Sequence, residues 1–160
     1  MAAAYFMHDV DSFPLPDDIH RTIVDSAIGV HLAIMPQPWY GWLLDGSKTI
    51  ESRFSMNGCA PYGKVRPGDI ILVKKGLVSA AFTVASVRDI DLTKHPLSDL
   101  AERYSSNIHA DHSFWTERTH KRFCTLIWVE HCTQFPGFPI DKRDRRGWVV
   151  LRDTVLPKRA

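Results

Sequence analysis

The chain has 160 residues, 44% hydrophobic and 24% charged, with a net charge of +2; this suffices for one well-buried domain and excludes a disordered or collagen-like chain. No apolar run approaches the roughly 20 residues a membrane-crossing helix needs, and Met1 to Met7 reach His8 and Asp9 without a basic stretch, so neither a span nor a secretory signal is expected. Three cysteines, Cys59, Cys124 and Cys132, form no CxxC pair, which disfavours a disulfide scaffold and fits a reducing cytoplasm.

Charge is spread unevenly. Residues 1–30 hold five Asp against one Arg, and residues 141–160 hold seven Lys or Arg against three Asp. A basic tail on a near-neutral body suits a phosphate-bearing partner, or simply a solvated surface. The first 30 residues read as an N-terminal extension. Within it, Asp17-Asp18 precede Ile19, Ile23, Val24 and Ala27 at helical spacing, which predicts a short helix near 16–27.

His31 to Met35 is an apolar run suited to a strand, ended by Pro36. Pro38 suits a first helical position. Trp39, Trp42 and Leu43 follow on one helical face, and Gly46 supplies a left-handed cap, so 38–45 is a two-turn helix. Lys48 to Phe54 reads as a strand, with Ile50 on one face and Thr49, Glu51 and Arg53 on the other. Pro67-Gly68 marks a type II turn. Asp69 to Lys74 is a strand apolar on both faces, hence buried. Leu77 to Val87 is a long strand rich in small residues. Helices are expected over 96–104 and 113–120. Phe123 to Cys132 is a strand, Pro136, Gly137 and Pro139 a kinked loop, and Gly147 to Arg152 the last strand. About six strands without regular βα alternation disfavour a doubly wound sheet. The expected class is α+β, a small mixed β-barrel with peripheral short helices.

Several motifs are excluded. Gly46-Ser47-Lys48-Thr49 lacks the glycine a P-loop requires before its Lys, and no GxGxxG, HExxH or GxSxG occurs. His109, Asp111, His112, Glu117 and His120 lie close in sequence, but they read as a polar loop running into a helix. No metal site and no cofactor are expected.

The informative stretch is Gly46-Ser47-Lys48-Thr49-Ile50-Glu51-Ser52-Arg53, of the form GxKxxExR. Lys48 stands at the mouth of a helix-to-strand turn. Glu51 and Arg53, two apart on a strand, share a face. An acceptor beside a forked donor can read a nucleobase edge, and Lys48 can hold a phosphate or polarise a carbonyl. The alternative is an exposed Glu–Arg pair worth under about 1 kcal/mol.

Gln37-Pro38-Trp39, the GxKxxExR stretch, and Arg66-Pro67-Gly68-Asp69-Ile70-Ile71-Leu72-Val73 together resemble the ASCH domain family, within the PUA-like superfamily of small β-barrels. Phe138-Pro139-Ile140 and Gly147 to Leu151 resemble the closing segment of several members. The resemblance covers roughly residues 31–152. It implies a pseudo-barrel over 31–155 whose cleft is lined by the helix-to-strand turn, preceded by the 1–30 extension and followed by a basic tail at 156–160. It also implies RNA or single-stranded nucleic acid as partner, or a modified nucleoside. Some relatives deacetylate acetylated cytidine and others are ribonucleases. The deacetylases carry Thr three residues after the Lys, where this chain has Glu51, a group suited to activating water rather than attacking an acyl carbon. Glu102 and Asp111 are candidates for their further acidic residue.

Two functions follow. As a binding module, the chain would contact phosphate through Lys48, Arg53, Lys74, Lys75 and Arg145, the last within the basic 142–146 run, with Trp39 or Tyr40 as a stacking platform and Glu51 reading the base. As a hydrolase of RNA or a modified nucleoside, it would use Lys48 and Glu51 as the chemical pair.

Overall fold

A computed structural model describes residues 3–142 and 144–154. The expected basic tail, 156–160, lies outside the described residues, as does Arg143 of the basic run. The elements in chain order are β1 (Tyr5–Phe6), a 3-10 turn (Val10–Ser12), α1 (Asp17–Asp25), β2 (Val30–Ile34), α2 (Trp39–Leu44), β3 (Ile50–Ser55), β4 (Ile70–Lys75), β5 (Leu77–Asp91), α3 (Leu97–Ile108), α4 (His112–Thr116), β6 (Phe123–Phe138), β7 (Ile140–Asp141) and β8 (Trp148–Arg152).

Six strands in the order β3-β6-β5-β4-β2-β8 form one sheet that curls into a half-barrel, the expected α+β class. β2 runs parallel to β4, and every other pair in the sheet is antiparallel. β1 and β7 form a separate parallel pair that the sequence pattern did not suggest. The Pro67-Gly68 turn closes as expected: Asp69 N–H donates to Arg66 O at 3.1 Å, and Gly68 takes a φ of +89°. It delivers Ile70 to Val73, all buried, into the middle of the sheet.

The expected loop at 136–139 is instead largely strand. β6 runs through Pro136 and Gly137 to Phe138. Pro136 has no N–H to give a ladder, and the β5–β6 register shifts there, from Ala80↔Gln134 to Val78↔Phe138. At Gly137 the two strands approach so closely that a Cβ would sit 2.9 Å from Leu77 Cβ. Loop chemistry in the sequence therefore marks a bulge. The helix expected over 113–120 is shorter, ending at Thr116.

Hydrophobic packing gathers in three regions. The N-terminal residues Val10, Phe13, Leu15 and Ile23 bury with Val30, Leu32, Leu72, Phe138 and Val149 against one face of the sheet. A central cluster includes Met35, Tyr40, Leu43, Ile71, Phe82 and Trp148. A third holds α3 and α4 to the ends of β5 and β6 through Ile90, Leu100, Ile108, Phe114, Trp115 and Leu126.

A buried polar cluster fastens β2, β4 and β8 together. Asp69 is 0% exposed. Its Oδ1 accepts from Gly29 N–H and the Thr154 hydroxyl, both at 2.8 Å, and its Oδ2 accepts from Arg66 N–H at 3.0 Å and His31 Nε2 at 2.9 Å. Trp148 Nε1–H donates to His31 Nδ1 at 3.1 Å. An indole nitrogen only donates, so Nδ1 is bare and Nε2 carries the His31 proton. Burial alone would raise the Asp69 pKa, but His31, Arg66, Thr154 and Gly29 outweigh it and hold the carboxyl below the usual range.

Candidate functional site

The site begins at the end of α2. Gly46 takes a φ of +83°, a conformation that costs glycine little. Ser47 donates twice to Asp45 Oδ1, by N–H at 2.8 Å and hydroxyl at 2.6 Å, which holds the Asp45 carboxyl below the usual range. Lys48 N–H donates to Trp42 O at 2.9 Å. The turn is thus tied internally before the chain enters β3.

Lys48 is only 2% exposed. Its ammonium donates to Ile50 O at 2.9 Å and to Ile108 O at 3.0 Å. Ile108 ends α3, where carbonyls lack intrahelical partners and the helix dipole favours a cation. Glu51 Oε1 lies 4.0 Å away, and the Trp39 ring centroid 5.1 Å away. Burial lowers the Lys48 pKa; Glu51 opposes that shift, and Arg53 and Arg118 add to it.

Glu51 is 5% exposed. Oε1 accepts from Ser52 N–H at 2.8 Å and faces Arg53 Nε at 3.6 Å. Oε2 takes none of the hydrogen bonds among the described residues, and no fully buried side-chain oxygen there lacks a partner, so Oε2 is not fully buried and has acceptor capacity to spare. Arg53 is largely committed to the protein: its guanidinium donates to Ile34 O at 2.8 Å and Gly147 O at 3.2 Å, and lies 5.3 Å over the Trp148 ring. It braces Glu51 and ties β3 to β2 and to the segment before β8. The pair is therefore not the exposed surface contact that the spacing also allowed.

Lys48, Glu51, Arg53 and Trp39 line one cleft of about 500 Å³, within the range of about 300–1,000 Å³ usual for small-molecule sites. Its aromatic side is built from Trp39, Phe114 and Phe54, with ring centroids 5.5 Å apart for Trp39–Phe114 and 5.9 Å for Phe54–Phe114. Another part of its wall comes from the loop after α4, with Glu117, Arg118, His120 and Lys121. The sequence reading missed this wall. The available signal was Arg118-Thr119-His120-Lys121-Arg122, a basic run that straddles the end of the helix expected over 113–120.

The remaining expected residues lie outside the cleft lining. Lys74 is half-buried, paired with Ile34 at the end of β4. Lys75 is exposed, with its ammonium 5.8 Å over the Tyr40 ring. Arg145 is exposed, two residues before Gly147. Tyr40 is no exposed platform: it is buried, and its hydroxyl meets Ser79 Oγ at 2.6 Å. Glu102 is exposed on α3. Asp111 caps α4 by accepting from Phe114 N–H at 2.9 Å, and His109 stacks on Trp42 at 3.6 Å. Among the described residues no group of three or more His, Cys, Asp or Glu is placed to hold a metal, and no helix is long and apolar enough to cross a membrane.

As a sequence, the chain matches no protein-family model and, at significance, no curated protein. The half-barrel with its few short helices is a curled mixed sheet of the expected α+β class. Among such folds it is ASCH-like: it resembles an ASCH protein from Zymomonas mobilis with a TM-score of 0.60 at 10% identity, over 77% of this chain and 87% of that one. Two mutant forms of that protein give TM-scores of 0.57 and 0.59 at 12% and 11% identity, each over 77% of this chain and over 88% and 90% of theirs.

Proposed function

We propose that the cleft binds RNA or single-stranded nucleic acid, with one base, or a modified nucleoside, held against Glu51. The observation that carries this reading is the half-satisfied Glu51 carboxylate, fixed on one oxygen by Ser52 and Arg53 and open on the other. An open acceptor in a cleft favours ligands bearing amino donors, such as the exocyclic amine of cytosine or adenine. Trp39, half-buried in the wall, supplies an aromatic face for the base. Lys48 has one ammonium hydrogen beyond its two carbonyl partners. Lys74, Lys75 and Arg145 lie beyond the cleft and would meet phosphates of a longer strand. Titration with single-stranded RNA tests the reading: affinity should fall as salt rises, because phosphate contacts release counterions. No binding to RNA or DNA at low salt would overturn it.

A second reading, hydrolysis of RNA or a modified nucleoside, is favoured by one observation. Lys48, its pKa lowered by burial, sits beside a carboxylate able to take a proton from water. Glu51→Gln would then keep binding and lose turnover on acetylated cytidine or RNA.

A further inference from the structure

We propose that the cleft takes a nucleotide rather than a bare nucleoside, with its phosphate seated on Arg118 and Lys121 while the base meets Glu51. The inference rests on the reading of the cleft given above and adds the phosphate and its seat. Arg118, His120 and Lys121 come from a single short loop, and all three line the cleft that Lys48, Glu51 and Arg53 also line. That lining holds four cations, Lys48, Arg53, Arg118 and Lys121, against two carboxylates, Glu51 and Glu117.

The cations are not equivalent. Two ammonium hydrogens of Lys48 and the NH1 and NH2 groups of Arg53 go to backbone carbonyls, and both residues flank Glu51. Arg118 is held differently. Its guanidinium stacks 3.6 Å from the Phe114 ring centroid, and NH1 donates to Phe114 O at 2.8 Å. Its Nε and NH2 make no hydrogen bond among the described residues, and Glu117, 3.9 Å away, has a side chain 74% exposed. Arg118 is therefore a guanidinium fixed in place with donors to spare, the arrangement that grips phosphate in a defined geometry. Lys121, half-buried in the same wall, adds a second positive charge. Trp39 and Phe114 lie side by side between the two ends, with Lys48 over Trp39 and Arg118 over Phe114. A base against Trp39 would then sit next to the ring that carries Arg118.

Calorimetric titration of the full chain with cytidine, cytidine 5′-monophosphate and cytidine 3′-monophosphate tests this. The monophosphate of the correct linkage should bind roughly ten- to a hundredfold more tightly than cytidine, the factor that one or two charge-assisted hydrogen bonds supply. Lys121→Ala and Arg118→Gln, singly and together, should shrink that ratio towards unity and leave cytidine binding in place. Lys121→Ala alters a side chain that reaches solvent and guards against a folding defect at Arg118. Arg103→Ala, exposed on α3, should leave the ratio unchanged. Equal affinity for cytidine and both monophosphates overturns the phosphate seat but leaves the base site standing. A ratio that persists in the double variant also overturns the seat. Monophosphate binding that ignores Glu51→Ala yet falls with Arg118 and Lys121 upholds the seat and removes Glu51 from the base. Failure of all three ligands overturns the seat, while the titration with single-stranded RNA decides the reading of the cleft separately.

Discussion

Asp69 and Glu51 are both carboxylates buried in the sheet, yet their surroundings differ in kind. Asp69 accepts four hydrogen bonds, from Gly29, Thr154, Arg66 and His31, so both oxygens are filled. Glu51 accepts one, from Ser52, stands beside two cations, and keeps Oε2 open. A saturated carboxylate has nothing left for a ligand and spends its interactions on holding β2, β4 and β8 together. An unsaturated one facing a cleft has a vacancy that a ligand can fill. Burial of a charge alone therefore does not single out a candidate site; burial with hydrogen-bonding capacity left over does.

The largest effect expected from this contrast is on stability. Asp69→Ala strands three donors and His31 in the interior and should cost on the order of 3 kcal/mol, read as a lowered urea midpoint. RNA affinity per folded molecule should hold. An acid dependence accompanies it. The folded-state pKa of Asp69 lies below its unfolded value, so its contribution is complete above about pH 3.9 and drains away as pH falls through the folded value. Asp69→Asn should thus be most destabilised relative to the parent chain near neutral pH. The gap should start to narrow below about pH 4, which urea melts at pH 7 and at successively lower pH would show.

Glu51→Ala should do the reverse. Lys48 and Arg53 keep their carbonyl partners, so stability should change by only about 1 kcal/mol. Ligand affinity should fall by on the order of 1–3 kcal/mol, because ligand donors lose their acceptor. If Asp69→Ala weakened binding while Glu51→Ala affected only stability, the assignment of the two carboxylates would be inverted.

The smallest effect tests the edge of the closed cluster. Trp148→Phe removes the donor to His31 Nδ1 and should cost about 1 kcal/mol, seen as a modest drop in melting temperature. Because Arg53 lies over the Trp148 ring, an affinity loss as large as that of Glu51→Ala would show the clusters to be coupled rather than separate.

Much of the site was legible in the sequence because its geometry is local. A glycine after a short helix forces a turn, and period-two alternation puts Glu51 and Arg53 on one strand face whatever surrounds them. Pro67-Gly68 set its turn for the same reason. The wall carrying Arg118, His120 and Lys121 was not legible, because nothing at 118–121 encodes that this loop packs across from residue 51. Arg53 read as a ligand contact, yet the structure gives its guanidinium to Ile34 and Gly147, which only strand order brings near.

By itself, then, the sequence determined the α+β class, the run of the main elements and the shared strand face of Glu51 and Arg53, with Lys48 at the turn before them. These depend on turn chemistry and side-chain period within a few residues. Only the tertiary structure decided that Glu51 is buried with one oxygen open and Asp69 buried with none. It also made Pro136-Gly137 a bulge within a strand and packed Phe13 and Ile23 into the barrel's core. Each of those outcomes depends on what segments distant in the chain bring to the same place, through the order β3-β6-β5-β4-β2-β8 and the packing over it. Local pattern points a side chain outward from its own strand; long-range pairing supplies the groups it meets.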